Sequence, residues 1–444
     1  MAARKLLAAI AVLVFAAVGS ANVVAQEWTP GAPREEIAPQ FSVVPGGGVD
    51  GKDALLVRTD DRPGQDGWWR RVVPLKKADY YRFSCFAKCE GVPHPERSVF
   101  VQITFTDDKG RLARDDNGQQ VPPLIPDDLG EQPNGWRRIE RVYRVPRGAT
   151  RAVIDLKVRW VRNARVLFSD VQFVPSGPPA RRLVRLGAVH YRPVDTKSPR
   201  ENYEQFARYV RQLGAAGADL IVLPEAINYY GMPRFGKSYA DVAEPIPGPA
   251  TKFFGKLAAK YDTYIVVPII ERSGHLVYNS AALVGPDGKV VGVYRKVCLP
   301  REEYNKGICP GSDYPVFQTR FGKVGIMICW DIHFPEVARE LHYRGAEVLA
   351  VPIWGGMPKL CAARALENQV YLVTSTYTDI SRNWMVTGIW GPTGDVLKRA
   401  TEWGSVVMVE VDLNEHVVDW FNIGDFKARI PHERPYPLVG TKEP

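Results

Sequence analysis

Three short runs each deliver one reactive side chain. LIVLPEA carries Glu225 at the end of the apolar Leu220–Leu223 stretch, and VYRKVCLP sets Lys296 just after another. KVGIMICWDIHFPE is a buried-strand pattern that stops at Cys329 and turns polar. An acid, an amine and a thiol at or near the ends of apolar strands predict one cleft at one edge of a sheet. A free thiol has a pKa near ~8.5, so only a few per cent is thiolate at neutral pH and the sulfur needs a base. A carboxylate within hydrogen-bond reach, the role that fits Glu225, takes the proton as the sulfur attacks. Attack on an amide carbonyl puts negative charge on oxygen, which needs donors already aimed at it. Lys296 supplies one and the backbone N–H of Trp330 another, because a cysteine on a sharp turn presents its sulfur and the next N–H groups to one point. The expected course is a thioester on Cys329, loss of amine or ammonia, and hydrolysis by water activated at Glu225.

Each residue also has a plainer reading. A lone buried cysteine is usually a small inert hydrophobe, Glu225 would serve as a helix cap, and Lys296 as a solvated loop lysine. The three together outweigh these readings. A cysteine–histidine pair using His333, the one histidine near the sulfur in sequence, is the competing arrangement. Pro335 and Glu336 start the helix after the turn, as an early proline and a first-turn acid should. Arg364, Glu367 and Asn368, in ARALENQ, read as buried polar ties. Trp330 and Trp354 are candidate pocket walls, divided between core packing and substrate contact.

In this order and setting the runs resemble the nitrilase, or carbon–nitrogen hydrolase, superfamily. The similarity extends through YNSAALVGPDGKVVGVYRK, CPGSDYPVFQTRFGKVGIMICWD, FPEVARELHYRGAEVLAVP and ARALENQVYLV, from Leu183 to Tyr436. The resemblance implies the catalytic set Glu225, Lys296 and Cys329. It also implies a second glutamate between lysine and cysteine, which positions the lysine and the substrate amine. PREEYNKGICPG offers Glu302 and Glu303, and Glu303, closely followed by an aromatic and then a glycine, matches the family pattern better. Cys298 departs from it, standing where many members carry histidine. CWD followed by HFPE looks like the branch of amidases and carbamoyl-amine hydrolases, whereas true nitrilases often carry CWE. A linear amide or N-carbamoyl compound is the substrate so implied. A nitrilase, an N-acyltransferase working through the same thioester, and a glycan-binding surface protein with a vestigial hydrolase domain are the alternatives. No metal or organic cofactor is implied, and the scattered histidines form no ligand-spaced cluster.

The elements that must position these residues follow from periodicity. LVRLGAVHY reads as a strand; ENYEQFARYVRQLGAAG places Tyr203, Phe206, Ala207, Val210 and Leu213 on one helical face. LIVLPE and TYIVVPII read as strands on either side of the helix TKFFGKLAAKY, and a hairpin-like pair follows around Pro286-Asp287-Gly288. An α+β chain with two such halves fits the four-layer α–β–β–α sandwich that the resemblance implies, and with it a homodimer or larger assembly.

At 444 residues with 45% hydrophobic content, the chain can bury two cores and is long for one ordinary domain. From Glu27 to Val174 the pattern changes to short alternating runs broken by turns: DALLVRT, YYRFSCFAKC, SVFVQITFTDDKG, WRRIERVYRVP, RAVIDLKVRW and RVLFSDVQFV. Many short strands with scarcely any helical periodicity predict an antiparallel sandwich. Its pattern resembles the jelly-roll modules that bind carbohydrate, for which Trp68, Trp69, Tyr80 or Trp160 are the stacking candidates; the competing reading puts these rings in the core. The Pro/Gly-rich VPSGPPARR marks a linker over 175–182, with the hydrolase region over 183–436 and a tail over 437–444. Gly46, Gly47 and Gly48 read as a turn, since no helix pattern follows for a phosphate cradle.

The N-terminal 1–25 segment has Arg4 and Lys5, the apolar Leu6–Val18 stretch and then small residues, the pattern of a cleaved export signal. Its removal takes the net charge from +9 to +7. Basic and acidic residues are interspersed, with no basic stripe carrying interleaved aromatics, so nucleic-acid binding is not inferred. Cys85 and Cys89 share a face of one strand but stand too far apart to bridge. Disulfides are not needed, and Cys329 must stay reduced to act.

Overall fold

The computed structural model describes residues 27–230, 238–378, 386–416 and 424–434. The expected export segment lies outside the described residues. The described residues divide into two compact units, one joining those up to Pro179 with those from Gly424 onward, the other those from Ala180 to His416. The first division falls inside the expected linker. The end of the hydrolase region differs from the expected 183–436: helix Phe426–Glu433 belongs to the first unit, because its Ala428 packs with Phe100 and Ile125 and its His432 ring lies against Phe100.

The first unit holds two sheets, of four and six strands, in which every pairing is antiparallel. Alternating side chains from both, among them Trp69, Val101, Leu156, Phe83 and Phe168, close on one apolar core, as period-2 patterning requires. The six expected strand runs are all present, joined by Thr29–Gly31, Gln40–Val44, Asp66–Pro74 and Asp127–Glu131. Of the four stacking candidates, Trp69 is buried and donates its indole N–H to the Leu56 carbonyl at 3.1 Å. Trp68 and Tyr80 are half-buried, and Trp160 is 50% exposed with the Arg159 guanidinium 3.9 Å from its ring centroid.

The second unit is α+β. Strand Leu183–His190, helix Pro199–Ala215, strand Leu220–Val222, helix Pro249–Tyr261, then strands Tyr264–Ser273, Leu276–Val284 and Val290–Arg295 make its first half. The second half repeats that order: strand Lys323–Ile326, helix Pro335–Tyr343, strand Val348–Pro352, helix Pro358–Asn368, then strands Tyr371–Ser375, Gly388–Trp390 and Val396–Arg399. In each half the three strands joined through helices pair in parallel and the hairpin strands antiparallel. Strand Ser405–Asp412 returns to pair with Leu183–His190. Leu186, Val222 and Val266 of one sheet share a core with Ile326, Ala350 and Val373 of the other. The opposite face of the first sheet, with Ile221, Ile265 and Val267, is covered by Phe206, Val210, Phe254 and Leu257 of two helices.

Pro335 occupies the first helical position and Glu336 the first turn, as expected. Among the described residues no helix is long and apolar enough to cross a membrane, and no three metal-ligating side chains gather.

Candidate active site

Parallel strands discharge their carboxyl ends at one rim of a sheet, and side chains just beyond those ends converge there. Glu225 follows Leu220–Val222 and Lys296 follows Val290–Arg295, both in the seven-stranded sheet. Cys329 follows Lys323–Ile326 in the six-stranded sheet. The expected cleft at the edge of one sheet is therefore shared by two, because the sheets stack face to face and their strand ends meet.

The chain leaves the strand at Met327, whose N–H still reaches the Ala350 carbonyl at 3.1 Å, and breaks at Cys329 with φ +46°. Left-handed backbone is uncommon for a residue with a Cβ. It turns the sulfur out of the strand line, leaving Cys329 9% exposed at the head of the short 3-10 turn Cys329–His333. Behind that turn, Arg364 donates to the Ile332 carbonyl at 3.2 Å and to Glu367 at 2.8 Å, while Asn368 donates to the Arg364 carbonyl. All three are the buried or half-buried polar ties that their helical pattern indicates.

Lys296 is fully buried and its Nζ donates to Glu225 Oε1 at 3.0 Å and to Glu303 Oε1 at 2.7 Å. Asn279 Nδ2 donates to the same two oxygens, at 2.8 and 3.1 Å. The other Glu225 oxygen accepts the backbone N–H of Trp354 at 3.0 Å, so its carboxylate is fixed from both sides. Cys329 Sγ donates to the Gly355 carbonyl at 3.4 Å. Glu303 and Glu302 sit on the short helix Arg301–Asn305; Glu303 turns inward to Lys296, whereas Glu302 pairs with Lys306 at 2.7 Å.

A cavity of about 310 Å³ opens onto this set. Glu225, Glu303 and Cys329 reach it at the base, with Trp330, Trp354 and His333 around them. Both tryptophans are thus wall residues, at 38% and 42% exposure, and neither is core. His333 lies in the same cavity with its ring 4.4 Å from that of Trp330, and burial with the nearby Arg364 charge lowers its pKa. Cys298 does not line the cavity; burial and the Asp331 charge push its thiol up to about 12.

Burial works against the Lys296 charge, but the Glu225 and Glu303 carboxylates outweigh it and hold the ammonium above its ordinary range. Burial, opposed by Lys296, raises Glu303 to about 7. Burial and then the Glu225 charge push the Cys329 thiol well above its usual value, against the pull of Lys296. The resting sulfur is therefore a thiol, and an attacking thiolate requires a proton acceptor as it forms.

Two residues that the sequence reading passed over complete the arrangement. Asn279 bridges the two carboxylates, and Asp331 is buried and accepts from Ile328 N–H, Cys298 N–H and the Tyr294 hydroxyl at 2.8, 2.9 and 2.7 Å. A polar side chain inside the apolar strand run YNSAALV was the available signal for the first. For Asp331 the signal was the CWD run, which bore on the substrate branch and not on a tie between turns.

Comparison with known proteins identifies the family. The carbon-nitrogen hydrolase family profile matches residues 185–417. A nitrilase of Pyrococcus abyssi is 37% identical over 225 residues, covering 48% of this chain and 85% of that protein. An omega-amidase of Xenopus tropicalis is 32% identical over 282 residues, covering 58% of this chain and 98% of that protein. A citrullinase of Francisella tularensis is 37% identical over 160 residues, covering 34% and 55%. With more than half its length matched by that profile, the chain belongs to the carbon–nitrogen hydrolase family of the nitrilase superfamily.

Proposed function

We propose that the chain hydrolyses a linear amide or an N-carbamoyl compound through a thioester on Cys329. One observation carries this reading: Lys296 is held between Glu225 and Glu303 at 3.0 and 2.7 Å, beside a cavity that also receives the Cys329 sulfur. Glu225 accepts the thiol proton as sulfur attacks the carbonyl carbon. The carbonyl oxygen takes up the displaced electron pair and is met by the Trp330 N–H and by Lys296, two of whose three protons are engaged by the carboxylates. Collapse of that intermediate expels amine or ammonia, protonated through Glu225, and water activated at the same carboxylate then cleaves the thioester. Glu303 positions the lysine and the departing amine.

The relatives support this range of chemistry, being named as a nitrilase, an omega-amidase and a citrullinase. Citrulline is itself an N-carbamoyl compound. Asp331 in the CWD run favours the amide branch over a nitrilase. The layering of two sheets with helices outside them supports the four-layer α–β–β–α fold for the second unit, and the antiparallel sheets of the first support a jelly-roll sandwich. Export, assembly into dimers or larger oligomers, and glycan stacking on Trp160 or Trp68 extend the reading. Their tests are N-terminal sequencing of the secreted chain, sedimentation, and binding to immobilised glycans.

Intact-protein mass spectrometry after brief exposure to amides, carbamoyl compounds and nitriles, with ammonia release in the same tubes, tests the chemistry. A transient adduct absent from Cys329→Ala is expected. No adduct and no ammonia from any class would overturn the hydrolase reading in favour of a binding role.

A further inference from the structure

The cavity has its buried polar groups at the base and large apolar side chains further out, with Glu302 and His333 among them. Glu225, Glu303 and Cys329 are buried at the base, whereas Trp330, Trp354 and Met357 are 38%, 42% and 55% exposed further out. Large apolar side chains exposed together mark a binding surface. Tyr230 and Tyr239 also line it, and their rings are fixed by others: Tyr230 lies 5.0 Å from Tyr377, and Tyr239 lies 4.5 Å from Tyr229. Such a wall is set before anything binds, which reduces the cost of ordering it.

Charge points the same way. Among the described residues that line the cavity, the ionisable groups besides Cys329 and the two tyrosines are Glu225, Glu302, Glu303 and His333, with no arginine or lysine. Lys296 sits behind Glu225 and Glu303 and is engaged by both. Among the described lining residues a substrate carboxylate would meet glutamates and no arginine or lysine, and these residues would not compensate its desolvation.

The geometry points to an amide or carbamoyl substrate whose non-reacting part is an aromatic or branched aliphatic group, seated between Trp354, Met357 and the Tyr230 wall. This rests on the hydrolase reading above. A volume of about 310 Å³ suits it, since an apolar cavity of about 150 Å³ holds one benzene ring. That leaves a comparable volume for the reacting carboxamide and its leaving group. The rim is thus a specificity device, and the thiol and carboxylates below it are indifferent to what the rim selects.

The test is a matched series of primary amides given to the full-length protein: propionamide, 3-phenylpropionamide, succinamate and 4-aminobutanamide. The expected result is a kcat/KM for 3-phenylpropionamide about tenfold or more above each of the others, the discrimination that apolar pockets reach. Trp354→Ala and Met357→Ala should each reduce the ratio of 3-phenylpropionamide to propionamide severalfold. Equal use of the series, preference for succinamate or 4-aminobutanamide, or ratios unmoved by both variants would overturn the inference while leaving the hydrolase reading intact. No ammonia from any member and no Cys329 adduct would overturn both.

Discussion

Asp331 and Cys298 are joined across the site by a 2.9 Å hydrogen bond from the Cys298 N–H to Asp331 Oδ1. The other Asp331 oxygen accepts Ile328 N–H and the Tyr294 hydroxyl. Cys298 lies two residues beyond Lys296, and Ile328 immediately precedes Cys329. One buried carboxylate therefore ties the lysine turn to the cysteine turn, although the two belong to different sheets. Burial raises its pKa, and the surrounding donors together with the Lys296 charge oppose that rise.

Asp331→Asn puts an amide NH₂ where an oxygen accepted N–H or O–H, leaving a buried donor opposed to a donor. The cost of such an unpaired group is about 1–3 kcal/mol. A lowered melting temperature is expected together with a kcat reduced tenfold or more, because the cysteine turn is no longer fixed relative to Lys296. Thermal melting and steady-state kinetics on one preparation check both. A variant with full kcat would show that the tie is structural only.

Glu225, Lys296 and Cys329 were legible because each stands at or just past the end of an apolar run, and strand ends are what a period-2 or continuous apolar pattern reveals. Asn279 was not legible as a bridge: its carboxylate partners lie 54 and 24 residues away in sequence. Strand Asp66–Pro74 escaped because GWWRRVVP interleaves buried Trp69 with half-buried Trp68 and Arg70, and its two adjacent arginines break the apolar alternation. Helix Phe426–Glu433 reads from the sequence as part of the hydrolase region because the surface it packs on is made by Phe100 and Ile125, more than 300 residues earlier in the chain.

The Glu303 carboxyl, raised to about 7 by burial, sets an expectation for pH. Only its ionised form accepts freely from both Lys296 and Asn279, so kcat/KM should rise with pH through about 7. The stability effect has the opposite sign. Between about 4.5 and 7 the folded chain holds a proton that the unfolded chain has released, so this group's contribution falls as pH rises through that window. Glu303→Gln should flatten the rate limb near 7. A limb that survives in the variant belongs to another group.

Cys329 carries a left-handed φ of +46°, which costs a residue with a Cβ on the order of 1–2 kcal/mol and costs glycine little. Cys329→Gly and Cys329→Ala both lose the sulfur and should both be inactive. They should differ in stability, with the glycine variant the more stable by about 1 kcal/mol, reversing the usual order of these two residues. Chemical denaturation of the pair checks this. Equal stability, or a more stable alanine variant, would mean that the turn holds no backbone strain.

The C-terminal helix gives the first unit an acid-sensitive clasp. His432 is buried against Phe100, its carbonyl accepts from Arg159 at 2.9 Å, and Arg434 pairs with Glu96 at 3.0 Å. Asp425, which caps the helix at Ala428 N–H, forms a buried ion pair with Arg141. Burial and then the Arg159 charge lower the His432 pKa to about 4, against the weaker upward pull of Glu96. An unfolded histidine titrates near ~6.5. Between about 6.5 and 4 the unfolded chain therefore binds the extra proton, and stability falls as pH drops through that window, by about 3 kcal/mol at most. Below about 4 both states are protonated and this contribution is flat. His432→Gln removes the titration, so its melting temperature should fall less than that of the unaltered chain between pH 7 and 5. Asp425→Ala should instead lower stability at every pH by roughly 3 kcal/mol, the cost of leaving Arg141 buried without its principal partner. If the two variants show the same pH dependence as the unaltered protein, the imidazole is not what makes the clasp sensitive to acid.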